Sequence, residues 1–79
     1  MLDCYAITND ILKQAVYGID TVGIINQNTD KTIKTLKHYL SILVESKLLD
    51  YDKSSARYQT TSNGRRFLYI HNILNSLLQ

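Results

Sequence analysis

Residues 31–40, "KTIKTLKHYL", hold three lysines and a histidine with no acid among them, while Ile33, Leu36 and Leu40 recur at helical spacing. One side of such a helix wants a protein core, and the other is left basic. Leu43 and Val44 carry the stripe downstream, so the spacing predicts a helix over about residues 30–46 with Ile33, Leu36, Leu40, Leu43 and Val44 inward. Upstream, "NQNTD" (26–30) is a turn, rich in side chains that bond their own backbone. Thr29, Asp30 and Thr32 each suit the N-cap of the helix, and the sequence does not choose among them.

Ahead of that turn, "VGIINQ" predicts a short helix over 21–27, capped by Thr21, with Val22 and Ile25 inward and Ile24 a further candidate. Before it, Ile7, Ile11, Leu12, Ala15 and Val16 predict a first helix over 3–17, ended by Gly18. Beyond residue 47 the pattern changes. "LLDYD" (48–52) and "RYQTT" (57–61) are short tyrosine- and threonine-bearing runs around "KSSA", which predicts a hairpin. The rest is helical over 62–78, capped by Thr61 or Ser62, with Phe67, Ile70, Ile73, Leu74, Leu77 and Leu78 on a wide apolar face. The expected fold is one domain over 1–79, mainly α with a small β-hairpin. A short helix, a polar turn and a longer helix make a helix-turn-helix, and the hairpin behind it reads as a wing.

Composition bounds the rest. The chain has 79 residues, and a core of that size is marginal without a partner. Cys4 is the only cysteine, which leaves no intrachain disulfide and no multi-cysteine metal site. His38 and His71 fall on different helices with no acid at ligand spacing. Asp50 and Asp52 flank Tyr51 like paired carboxylates, but an exposed strand edge accounts for them, and Ser54 and Ser55 have no nearby base. The expectation is no enzyme, no metal, no cofactor and no small-molecule substrate. No apolar run or signal pattern points to a membrane, so the expected location is cytoplasmic. Net charge is +2, which permits a polyanionic partner without demanding one.

Three passages carry a family resemblance: "TIKTLKHYLSILVESKLLDY" (32–51), "RYQTTSNGRRFL" (57–68) and "DILKQAVYGID" (10–20). The chain resembles the small archaeal winged-helix DNA-binding proteins that dimerise through a C-terminal helix. It departs from them in a longer turn before the third helix and in a last helix short for an extended coiled coil. The resemblance implies binding to double-stranded DNA, in transcription or chromosome organisation, without catalysis or a required cofactor.

With Ile33, Leu36 and Leu40 inward, Lys31, Thr32, Lys34, Thr35 and His38 are left on the outer side of the third helix. Lysines suit phosphates or guanine edges, threonine a thymine methyl or a phosphate, and histidine a base edge. Thr35 and His38 are the expected base contacts and Lys31 and Lys34 a mixture, with Lys37 and Ser41 further round toward the backbone. Lys53, Ser54 and Ser55 at the hairpin tip, with Arg57 beside them, suit the backbone or the minor groove. Each feature has a plainer reading: a solvated lysine face, an ordinary polar turn, a surface histidine. The face of Phe67, Ile70, Ile73, Leu74, Leu77 and Leu78 exceeds what one small core covers, which predicts a homodimer. The alternative is that this helix packs back on the first. A protein-interaction winged helix and a non-specific DNA-packaging protein are the competing functions.

Overall fold

The computed structural model describes residues 4–78 of the chain, with side chains from residue 6 onward. Four helices surround a small antiparallel sheet: α1 (Cys4–Gln14), β1 (Ile19–Asp20), α2 (Thr21–Gln27), α3 (Ile33–Glu45), β2 (Leu49–Asp52), β3 (Arg57–Thr60) and α4 (Ser62–Leu78). β3 is the central strand, with β1 and β2 antiparallel on either side. Ile7, Ile11, Leu12 and Ala15 of α1 and its exit turn meet Ile24 of α2, Leu36, Leu40 and Leu43 of α3, Leu49 of β2 and Leu68 of α4 in one core.

α1 is shorter than its apolar pattern predicts. Its last regular residue is Gln14, a turn follows, and Gly18 takes φ +87, open to glycine at little cost. Asp3, where the predicted helix began, lies outside the described residues, as does the side chain of Cys4. The strand β1 was not expected. Two residues show no alternation to read, and they become a strand only because Tyr58 and Arg57 of β3 lie opposite.

The start of α2 corrects two expectations. Asp20, not Thr21, is the N-cap: its Oδ1 accepts the Gly23 amide at 2.7 Å. With that start, Ile24 faces the core and Val22 lies on the far side, 63% exposed, while Ile25 is half-buried. The polar turn is fastened from below. Asn28 is buried and forms a reciprocal amide pair with Gln14 of α1, at 2.8 and 3.2 Å, and its Nδ2 also donates to the Ile24 carbonyl.

α3 begins at Ile33, because Thr32 wins the N-cap and accepts the Thr35 amide at 3.1 Å. Leu36, Leu40 and Leu43 are buried as the stripe requires. Ile33 is not: it occupies the first helical position and is 52% exposed. Lys47, at φ +66, turns the chain out of α3 into β2. Thr61 caps α4 by accepting the Gly64 amide at 3.0 Å.

Candidate nucleic-acid interface

At about 100° per residue, steps of four and three return to one side of a helix. Lys34, His38, Ser41 and Glu45 therefore form a narrow exposed strip opposite Leu36, Leu40 and Leu43. The first half of the strip is cationic or titratable, and Glu45 ends it. Lys37 stands to one side, one turn ahead of Ser41 and Val44. Those two residues, with Leu40 and Glu45, form one wall of a groove of about 330 Å³, and Tyr51 and Tyr58 of the hairpin form the other. The two tyrosine rings lie 4.7 Å apart at 43°. Burial, with Tyr51 adding to it, raises the Tyr58 phenol above its ordinary value, while Thr21 opposes this.

Lys31, Thr32 and Thr35 are less available than the sequence suggests. The Lys31 side chain is only 15% exposed and its Nζ lies 3.2 Å from Asp30 Oδ2. The Thr32 hydroxyl donates to Thr35 Oγ1 at 2.9 Å while accepting the Thr35 amide, so both side chains are committed to starting the helix. Thr35 is half-buried beside Ile7, Asp30 and Lys31, about 100° round from Lys34.

The hairpin tip is organised by Asp52, which sequence reasoning set aside. Its Oδ1 accepts the Ser54 amide at 2.9 Å and the Ser54 hydroxyl at 2.7 Å. These bonds, with smaller ones from Ser55, hold its carboxyl below the ordinary aspartate value. An aspartate followed two residues later by serine at a strand end is a legible turn signal. Ala56, at φ +54, closes the turn. Lys53, Ser54 and Ser55 are exposed there. Arg57 has a different place. Its Nη2 donates to the Gly18 carbonyl at 2.9 Å, and across the ladder it faces Asp20 on one side and Asp52 on the other. Asp50 and Asp52 match Lys53 and Arg57 in number, so the hairpin carries no net charge.

On α4 the apolar residues divide. Phe67 is half-buried against the core and stacks on His71, with ring centroids 6.1 Å apart. Ile70, Ile73, Leu74, Leu77 and Leu78 are exposed, the last two by 75% and 84%. Ile70, Ile73 and Leu77 lie on the side of the helix away from Gly64 and Leu68, the residues that dock it.

Among the described residues, no group of three His, Cys, Asp or Glu side chains is placed to hold a metal, and no helix is long and apolar enough to cross a membrane. No known family model and no curated protein matches the chain.

Proposed function

We propose that the chain is a winged helix-turn-helix that binds double-stranded DNA, as a homodimer paired through α4, and acts as a transcriptional regulator. The observation that carries this reading is the strip of Lys34, His38 and Ser41 on α3, exposed and free of acid until Glu45, with a polar-tipped hairpin across a groove from it. α2, the Asn28-braced turn and α3 act as the helix-turn-helix and present the first turns of α3 to the major groove. Lys37 and the hairpin tip, through Lys53, Ser54 and Ser55, take the phosphates to either side.

The dimer follows from α4. Ile70, Ile73, Leu74, Leu77 and Leu78 expose the equivalent of about three whole aliphatic side chains, and at 1.5–3 kcal/mol each their burial is worth about 5–9 kcal/mol per protomer. A second copy of the same helix covers that face and doubles the number of cations offered to DNA. A two-fold pair also sets two α3 helices to read half-sites about one turn of DNA apart. The charge-neutral hairpin favours the alternative, a winged helix that docks on protein.

The experiment is a fluorescence-anisotropy titration of random-sequence duplex DNA at several salt concentrations, with the native chain and with Lys34→Ala/Lys37→Ala. Binding whose log affinity falls linearly with log salt, and a slope shallower by about two per protomer in the variant, is the expected result. No binding at low salt refutes DNA recognition and turns the search to a protein partner. A preferred sequence, selected afterwards, separates regulation from packaging.

A further inference from the structure

The isoleucine at the start of α3 is exposed. Ile33 belongs to the apolar stripe by spacing, yet it is half in solvent. Leu36, one turn on, already seals the core beneath α3. An aliphatic side chain at the first helical position gains nothing from water, and a single exposed one is by itself ordinary. What makes this one different is its setting. Lys34 is the next residue, about 100° round, and Lys37 lies one turn further on, about 40° round the same way, so two exposed lysines stand to one side of Ile33. That chemistry is complementary to a surface that offers a methyl group beside an anionic edge. The major groove of DNA at a thymine is such a surface: phosphates line both sides, and the thymine 5-methyl group projects into the floor.

Resting on the DNA-binding reading above, we infer that Ile33 is a specificity-determining residue that reads thymine 5-methyl groups, and so selects A·T pairs opposite the start of α3. The threonine that the sequence offered for this contact is unsuited to it. Thr35 is half-buried on the flank toward α1, with its hydroxyl bonded to Thr32. Ile33 stands about 100° from Lys34 and about 140° from His38, so Ile33 meets the groove on one flank of the helix tip and His38 on the other. Ile33 takes the methyl group, His38 a base edge, and Lys34 a guanine edge or a phosphate.

The test needs a bound site and no foreknowledge of it. A preferred duplex is selected with the native protein, and each thymine in it is replaced in turn by deoxyuridine, which lacks only the 5-methyl group. In the native protein, loss of one methyl at one position per half-site weakens binding about fourfold, the worth of one buried methyl-sized group. The Ile33→Ala dimer, altered in both half-sites, binds the thymine duplex as weakly as the native protein binds a duplex with deoxyuridine at that position in both half-sites, and it no longer distinguishes the two. Its salt slope is unchanged, because no cation is lost. Lys34→Ala weakens thymine and deoxyuridine duplexes alike and lowers the slope. A selection that returns no preferred sequence, a selected site indifferent to deoxyuridine throughout, or an Ile33→Ala protein as sensitive to deoxyuridine as the native one overturns the inference. The deoxyuridine scan uses the native protein alone, so its result does not depend on how the variant folds. Failure to bind any duplex at low salt is a different result: it removes the DNA-binding reading and this inference with it.

Discussion

Gly64 sits in the first turn of α4, buried where the helix crosses the root of the hairpin. A β-carbon built there runs into the Leu48 carbonyl oxygen and comes within 2.5 Å of Thr60 Cγ2. Neither neighbour is free to retreat. The Leu48 carbonyl accepts the Thr61 amide at 3.0 Å, the bond that holds the chain as it enters α4. Thr60 is tied to α1 twice, by its amide to the Ala15 carbonyl at 2.9 Å and by its hydroxyl to the Leu12 carbonyl at 2.7 Å. In an open helix, Gly→Ala stabilises by about 1 kcal/mol. Here the added methyl group forces backbone to move, an overpacking that costs about 1–3 kcal/mol or more. The clash is with a hydrogen-bonded carbonyl, so the upper end of that range applies, and Gly64→Ala is expected to lose about 2 kcal/mol net. For a chain this short that lowers Tm by about 8–16 °C. Thermal unfolding followed by circular dichroism, at matched protein concentration because a dimer links Tm to concentration, measures it. An alanine variant that melts at or above the native temperature refutes the close crossing of α4 over Leu48 and the reasoning built on it.

Other perturbations test other parts of the structure. Ala56→Gly relieves a left-handed residue in the hairpin tip and is expected to raise stability by about 0.5–1 kcal/mol, seen as a higher Tm. Asp52→Asn keeps the acceptor for Ser54 and removes a charge beside the proposed phosphate contacts. DNA affinity should rise at low salt, and the gain should vanish as salt is raised. The same carboxyl sets a pH limit. Its value in the folded chain is lowered from 3.8, so its contribution is complete above that pH and is lost only as pH falls through the lower folded value. The Ser54 amide resonance, followed by NMR, should hold its position down to pH 3.8 and move below it. Leu77→Asp places a charge in the exposed face of α4. Sedimentation should show a dimer for the native chain and a monomer for the variant, whose Tm should be lower and no longer depend on protein concentration.

Much of the architecture is legible in the sequence because long, periodic elements leave strong signals. Leu36, Leu40 and Leu43 mark the inner face of α3, and Gly18 marks the end of the first helical stretch. What is not legible depends on partners distant in the chain. Val22, Ile24 and Ile25 crowd a seven-residue helix, and only its setting against α1 decides that Ile24 goes in. Ile33 follows the apolar period but falls at the first position of its helix and is half exposed. Arg57 reads as a hairpin-tip cation until the Gly18 carbonyl, 39 residues earlier, claims it. Lys31 reads the same way until its side chain is seen folded against Asp30. In the candidate site, Lys34 and His38 stand exposed, as their place opposite the apolar stripe requires. Thr32 and Thr35, whose side chains have local work, are not separable from them without coordinates.

The end of α1 has a consequence for the order of events during synthesis. A helix leaves its last carbonyls without partners. Here those of Leu12, Ala15 and Val16, and that of Gly18 just beyond, are met by Arg57, Gln59, Thr60 and Arg65, between 39 and 49 residues later. The Ala15 carbonyl takes a nearer donor as well, the Gly18 amide at 3.1 Å. A chain that ends before residue 57 therefore holds α1, α2 and α3 with an unfinished seam, because the β3 strand that closes it follows all three helices. The seam at the end of α1 closes only once β3 is made, and contacts of such long sequence separation form more slowly than helices alone.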